Sequence, residues 1–390
     1  MSMTGDMGLR GKNLIVCCDG TNNQFGDTNT NVVRTYAVAT KETGRQLAFY
    51  DPGLGTFPAP GAIAPLTQQI TKTLGSAAGF GLSENVACSY KFLMENYEPG
   101  DRIFLFGFSR GAYTVRVIAA LIHACGLMSQ DNANLIPYAF NLFREEYKKE
   151  ASGPDQPLRL PICDQFRATF SRVIPVYFIG VWDTVSSVGQ VYDPFKLPYT
   201  KTNPSVEIVR HAISIDERRK FFRTNLWSNP SPENKTDVIQ VWFPGAHADV
   251  GGGYPEIDGG LSKISLGWML DEARAAGMLI DNDKVPAVLP PPGTVPPPSP
   301  ASATAMMHNE LDKLMWKVGQ LIPRQRSEIN PKTGKWESYM NFSPAQKPRS
   351  IADGSRVHHA AFDRMKADPT YRPVNIPKDV CDERGVKVVW

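Results

Sequence analysis

Short apolar runs that stop at a glycine, aspartate or proline, with helix-patterned segments between them, constrain this chain more than any other feature. Leu14–Cys18 stops at Asp19-Gly20, Leu47–Tyr50 at Asp51-Pro52-Gly53, Ile103–Phe106 at Gly107, Val176–Trp182 at Asp183 and Val238–Phe243 at Pro244-Gly245. Runs that are apolar nearly throughout, rather than alternating, suit strands buried on both faces. Between them, Val32–Thr40, Leu82–Tyr97, Ala112–Cys125 and Ile264–Ala276 space apolar residues three and four apart, which predicts helices. Alternation of strand and helix predicts an α/β fold, a mostly parallel sheet with helices on both faces. Its functional site should lie at the C-terminal ends of the strands.

Segments outside this rhythm suggest the domain plan. Gly53–Gly81 is rich in Gly, Ala and Pro, and Leu127–Arg172 contains an amphipathic stretch, Asn134–Lys149; both are expected to form cap segments. Residues 286–300 hold Pro-Pro-Pro twice, which predicts an extended surface linker without regular hydrogen bonding. Residues 1–285 would then be the catalytic domain and 301–390 a C-terminal appendage packed on it, with a short helix around Asn309–Leu321. No internal repeat is present.

Composition removes several classes of function. A net charge of +3, with no long Lys/Arg block, offers little phosphate-neutralising surface, so nucleic acid is not expected as a partner. The six cysteines are scattered without C-x-x-C spacing and read as reduced core residues. Met1–Lys12 lacks a signal-peptide pattern, and no apolar stretch approaches the ~20 residues of a membrane span, so the expectation is a cytoplasmic chain. Neither a cofactor nor a metal is called for.

Gly107-Phe108-Ser109-Arg110-Gly111 is G-x-S-x-G between a predicted strand and a predicted helix. A nucleophile in a tight strand-to-helix turn needs glycines beside it, because side chains there would collide with neighbouring backbone. Ser109 is therefore the candidate nucleophile, and the Arg110 N–H, at the helix start, a candidate oxyanion donor. A serine hydroxyl needs a base, and the base an acid that holds its tautomer. His247 follows the Val238–Phe243 run in a Gly-rich loop and is the candidate base, with His358 or His359 as rivals. His123 lies too far along the helix after Ser109, and His308 follows the proline stretch without acidic or strand-end context. Asp183 ends the Val176–Trp182 run and is the candidate acid, giving the chain order Ser, Asp, His of α/β-hydrolases.

Asp249 is the rival acid, or orders its own loop, or binds a metal with His247 and His211. Asp19-Gly20-Thr21 resembles a phosphatase loop, but Cys17 stands where that chemistry needs its nucleophilic aspartate. Gly20 and Thr21 are better read as supplying a second oxyanion donor, with Asp19 orienting the loop or Arg110. The Arg110 side chain could meet an anionic group such as a phosphodiester. His211–Arg219 reads as a salt-bridged helix end, with a role for His211 in the site as the minor reading.

Together, Asp19–Asn22, Tyr50–Thr56, Gly107–Thr114, Val181–Val185, His211–Arg218 and Gly245–Tyr254 resemble the DUF2235 family, the catalytic domain of Tle1-type type VI secretion phospholipase effectors. The resemblance covers residues 12–280, with a weaker echo at Val357–Pro377. It implies an α/β-hydrolase fold and a triad mapping onto Ser109, Asp183 and His247. It also implies a lipase or phospholipase A-like activity on a lipid or acyl ester, peripheral membrane contact and export by a non-Sec route. The large effectors carry extended C-terminal membrane-binding modules, whereas here residues 301–390 follow the linker. A soluble esterase or thioesterase with the same triad, and a non-catalytic binding protein of the same fold, are the alternatives.

Overall fold

In the computed structural model the apolar runs lie side by side and send alternate residues into two different layers. The structure describes residues 11–20, 23–53, 76–150, 160–185, 189–190, 193–194, 197–219, 222–228, 235–312, 324–329, 336–341 and 348–390. The elements that build the sheet begin with β1 (Asn13–Cys18), α1 (Asn31–Val38), β2 (Gln46–Asp51), α2 (Ser76–Asn96), β3 (Arg102–Phe108) and α3 (Arg110–Cys125). Then come α4 (Ile136–Glu150), α5 (Pro161–Phe170), β4 (Val176–Trp182), β5 (Val206–Ser214), β6 (Asp237–Phe243), α6 (His247–Gly251) and α7 (Gly260–Ala275). The C-terminal part supplies β7 (Arg356–Val357), α8 (His359–Ala367), β8 (Val380–Cys381) and β9 (Lys387–Val388).

These strands form one sheet in the order β9-β8-β7-β6-β5-β4-β3-β1-β2. Every neighbouring pair is parallel except β8 with β9. The chain runs from β1 outward to β2, then returns to place β3 on the other side of β1. Loops leaving β1 and β3 therefore diverge, and a crevice opens between them at the C-terminal strand ends. Ser109 follows β3 and Asp19 follows β1, so both sit at this crevice.

The strand period of two sorts the core. Leu14, Val16 and Cys18 of β1, with Leu105 and Ile179, pack under Val86, Tyr90, Val117, Leu121 and Phe143 of the helices α2, α3 and α4. Ile15 and Cys17, with Phe104, Phe106, Phe178 and Trp182, pack on the other face against Val32, Val38, Leu266 and Met269 of α1 and α7. Burying side chains of this size contributes roughly 1.5–3 kcal/mol each, which is why unbroken apolar runs form the inner strands.

Several expectations change. His211 belongs not to a helix end but to β5, between β4 and β6. Arg210, His211 and Ser214 interrupt the apolar pattern of that strand because each side chain has a polar partner; Arg210, for instance, pairs with Glu272 and Asp237. The appendage does more than pack on the domain: β7, β8 and β9 extend its sheet, and Ile351, Val357, Phe362, Tyr371 and Val380 form a core with Ile213 and Trp242. Strands of two residues leave no readable period.

The proline stretch is held rather than free. Val285–Val288 is a helical turn. Ser299 Oγ donates to the Ile257 carbonyl at 2.6 Å, and the buried Lys263 ammonium donates to the Ser299 carbonyl at 2.7 Å. In the described part of 127–172, α5 lies at the far end of α3. Arg167 there donates to the carbonyls of His123 and Ala124 at 2.7 and 3.0 Å, at the end of α3 remote from Ser109, and a helix of that length spans roughly 24 Å. Most of the other expected cap, 53–81, lies outside the described residues, as does most of the expected 309–321 helix, of which a turn at Glu310–Asp312 is seen. All six cysteines are free; Cys17, Cys18, Cys125 and Cys163 are buried, whereas Cys88 is exposed and Cys381 partly so. Among the described residues no helix is long and apolar enough to cross a membrane.

Candidate active site

The turn from β3 into α3 forces Ser109 to φ 57° and ψ −120°, a conformation that costs a non-glycine residue about 1–3 kcal/mol. The surroundings hold it there. Ser109 N–H donates to the Trp182 carbonyl at 3.1 Å, and the Ser109 carbonyl accepts from Tyr113 and Val185, each at 3.4 Å. The flanking glycines are required by contact. A Cβ on Gly107 would come within 2.6 Å of the Gly111 carbonyl oxygen, and one on Gly111 within 2.2 Å of the Cys18 carbonyl oxygen. α3 can therefore lie against the end of β1 only if position 111 has no side chain.

The strained turn presents the Ser109 hydroxyl to His247. Ser109 Oγ lies 2.8 Å from His247 Nε2, and His247 Nδ1 lies 2.5 Å from Asp183 Oδ2. Asp183 follows β4 with φ 40°, and His247 opens α6 just after β6. With Nδ1 donating to the carboxylate, Nε2 is left as the acceptor facing the serine hydroxyl. The imidazole is packed between two rings, Phe108 at 4.6 Å and Phe222 at 4.7 Å between centroids.

Charges around the relay set its protonation. Burial alone would push the Asp183 carboxyl up, but the Arg349 guanidinium and the hydrogen-bonded His247 outweigh it and hold the carboxyl well below the usual range. Burial lowers the His247 pKa from 6.5; Asp183 opposes the shift, Arg219 adds to it and Glu217 opposes it. The net result is an ionised carboxylate next to a neutral imidazole at pH 7.

The structure brings Ser109, His247 and Asp183 together and distributes the other candidate residues around them. Arg110 is the first residue of α3, so its N–H is among the helix-start donors that lack an intrahelical acceptor. Burial lowers its guanidinium pKa to about 10, which leaves it charged at pH 7, and among the described residues no carboxylate pairs with it. Gly20 lies beside Ser109: a Cβ there would be 3.4 Å from the Ser109 Cβ. Its N–H, however, donates to Asp19 Oδ1 at 2.7 Å and is thereby committed. Thr21 lies outside the described residues. Asp19 also accepts from Thr30 Oγ1 and Tyr50 Oη, both at 2.8 Å, so it orients this loop; burial raises its pKa to about 6 against those hydrogen bonds.

Asp249 does not touch His247. It accepts from the Ala246 N–H at 2.9 Å and from His308 Nδ1 at 2.7 Å, so His308 has an acidic partner that its sequence context does not suggest. His211 is fully buried, and its Nε2 accepts from the Thr184 N–H at 3.3 Å, which supports the turn carrying Asp183. Its pKa falls to about 3, first through burial and then through Arg116, so it is neutral. The grouping of His247, Asp249 and His211 as metal ligands fails on geometry, because both His247 ring nitrogens are engaged in the relay and the other two side chains have separate partners. His123 bonds Ser205 Oγ at 2.7 Å. His358 caps α8 by accepting from the Ala360 N–H and stacks on Phe243, away from the serine. Among the described residues, His358, His359 and Glu383 have ligand atoms within 4.8 Å of one another, but His359 and Glu383 already pair at 3.0 Å.

Sequence reasoning missed Arg349, Ser214, Glu217 and Phe222. Ser214 donates to Asp183 Oδ1 through its N–H at 2.9 Å and lies within 3.1 Å of it through Oγ, and Glu217 Oε2 accepts the His247 N–H at 3.2 Å. The Ile213–Ile215 neighbourhood offered a signal for a strand end at Ser214. Arg349 offered none.

A strand-to-helix serine elbow on a mostly parallel sheet, with histidine and aspartate supplied from later strand ends, is the architecture of an α/β-hydrolase-like domain. Residues 12–272 match the family described as "T6SS, Phospholipase effector Tle1-like, catalytic domain", and the chain belongs to that family, one of phospholipase-type hydrolases. The chain is similar to "Uncharacterized protein YEL023C" of Saccharomyces cerevisiae, at 34% identity over 231 residues, 57% of this chain and 33% of the relative. It thus spans about a third of the length of that curated relative. Two solved structures are also similar. One is the Tle1 effector bound to the VgrG spike of the type VI secretion system, at 14% identity and TM-score 0.43, covering 87% of this chain and 92% of that one. The other is an uncharacterized protein from Pseudomonas aeruginosa, at 20% identity and TM-score 0.38, covering 69% of this chain and 46% of that one.

Proposed function

We propose that this chain is a serine carboxylester hydrolase that cleaves acyl esters of lipids, phospholipids foremost, through an acyl-enzyme on Ser109. The observation that carries the reading is the continuous relay from Ser109 Oγ through His247 to Asp183, at 2.8 and 2.5 Å. In the first half-reaction Ser109 Oγ attacks the ester carbonyl while His247 Nε2 takes its proton. The developing oxyanion meets the Arg110 N–H and the positive end of α3. His247 then protonates the leaving alcohol or lysolipid, and water, deprotonated by the same nitrogen, releases the fatty acid. Asp183 keeps the proton on Nδ1 and stabilises the transient imidazolium. Arg110, charged and without a carboxylate partner among the described residues, suits the phosphodiester of a phospholipid. Action on aggregated lipid requires peripheral contact with a membrane surface.

Fluorophosphonate labelling followed by peptide mapping tests the nucleophile. The adduct should form on Ser109 and be lost in Ser109→Ala and His247→Ala; an unlabelled, folded wild-type protein sinks the reading. Release of fatty acid from phosphatidylcholine vesicles, compared with p-nitrophenyl butyrate, then decides the substrate. Cleavage of the small ester alone leaves a soluble esterase.

A further inference from the structure

The acid of the relay is held by a residue far from the other three in sequence. Arg349 reaches both oxygens of Asp183, with Nη1 at 2.5 Å from Oδ1 and Nη2 at 3.0 Å from Oδ2. The same guanidinium donates to Ser214 Oγ at 2.7 Å and to the Phe222 carbonyl at 2.5 Å, and its side chain is nearly buried. Its backbone is fixed as well. Asn375 Nδ2 donates to the carbonyls of Arg349 and Ile215, both at 3.0 Å, tying the C-terminal part to the end of β5. Tyr371 Oη donates to Asp216 Oδ2 at 2.8 Å, and Asp216 Oδ2 accepts the Gly245 N–H at 2.7 Å, two residues before His247. Arg349 lies outside residues 12–272, the part that matches the catalytic-domain family.

From this arrangement we infer that Arg349 is a positioning residue of the hydrolase, which orients the Asp183 carboxylate with a two-pronged fork and weakens its pull on the His247 proton. The inference rests on the serine-hydrolase reading above. A carboxylate in a dry site attracts a proton onto itself or its imidazole partner. A guanidinium on its far side neutralises part of that charge, so the Asp183–His247 pair takes up a proton only at lower pH and the imidazole remains a free base. Both oxygens are pinned at once, so Oδ2 stays aimed at Nδ1. Glu217, next to the His247 N–H, acts in the opposite sense and is itself paired with Arg219 at 2.7 Å. His211, on β5 beside the Asp183 turn, is held neutral by burial and by Arg116. Among the described residues, Arg349 is thus the permanently charged group in direct contact with Asp183. The C-terminal part, by docking, completes the site.

The test is the pH dependence of p-nitrophenyl butyrate hydrolysis by the full chain, wild type against Arg349→Gln and Arg349→Lys, with Arg384→Gln, at an exposed remote arginine, as a control. Arg349→Gln should move the acid limb of kcat/KM upward by about 1–3 pH units. It should also lower the plateau kcat by roughly tenfold or more, with KM unchanged, because Arg349 does not touch substrate. Arg349→Lys should keep the acid limb near its wild-type position but recover only part of kcat, since a point charge cannot grip two oxygens in one plane. A folded Arg349→Gln with a wild-type acid limb overturns the proposal. Should that variant fail to fold, Arg349→Lys decides, and a wild-type kcat there overturns it. Inactivity of the wild-type protein would instead fail the hydrolase reading, so the two failures are separable.

Discussion

On the side of the proposed nucleophile, Ser109, one turn does the positioning, whereas on the side of the proposed acid, Asp183, the work is divided among distant segments. Gly107, Ser109 and Gly111 fit together because two missing side chains let α3 lie against the end of β1. Asp183 instead depends on Ser214 at the end of β5, on Arg349 from the C-terminal part and on His247 from α6. Ser109 is held by a sterically tight, strained turn, and Asp183 by hydrogen bonds and charge. Steric positioning tolerates no added atom, while a polar cradle degrades donor by donor. The two sides should therefore fail differently.

The largest loss is expected at the junction of the two sides. Ser109→Ala or His247→Ala should lower kcat about 10⁴-fold or more, measured on a chromogenic ester, with the melting temperature of Ser109→Ala almost unchanged by circular dichroism. On the nucleophile side, Gly111→Ala should cost about 3 kcal/mol or more of stability as well as activity, because its Cβ would lie 2.2 Å from a carbonyl oxygen. A stable, active Gly111→Ala, seen by urea titration, would break the steric half of the comparison.

On the acid side, Ser214→Ala should lower kcat by only about tenfold, since the Ser214 N–H and Arg349 still grip Oδ1. A loss as large as that of Ser109→Ala would show that the cradle does not share its load. The pH profile comes next. His247 must be neutral to act as base and its pKa is lowered, so kcat/KM should persist below pH 6.5 and fall as pH drops through the lowered value. An acid limb centred above pH 6.5 contradicts this electrostatic account.

The smallest effect is expected at the half-buried His308. Its hydrogen bond to Asp249 raises its pKa above 6.5, so its contribution to stability is complete below pH 6.5 and is lost as pH rises through the raised value. His308→Gln should lower the unfolding free energy more at pH 5.5 than at pH 9, by under about 1 kcal/mol, measured by urea titration. Equal losses at both pH values would place its role in packing on Tyr254, with which its ring stacks at 3.6 Å.

The division between the two sides is also a division in what can be read from the chain alone. The elbow is local: strand, glycine, serine, glycine and helix are consecutive, and the clash that demands the glycines follows from that order. The apolar runs that became β1, β3 and β4 were equally legible, because strands buried on both faces must be apolar at each inward position. β5 was hidden by Arg210, His211 and Ser214, whose polarity makes sense only beside Glu272, Gln240 and Asp183. Asp183 and His247 were readable as strand-end residues at the catalytic edge, and their order along the chain suggested their roles. Arg349, the pairing of Asp249 with His308, and the addition of β7, β8 and β9 to the sheet depended on where the chain returns in space. A hydrogen bond or ion pair between residues more than fifty positions apart leaves no periodicity, so the sequence determined the inner apolar strands and the serine turn, and only the tertiary structure decided what surrounds Asp183.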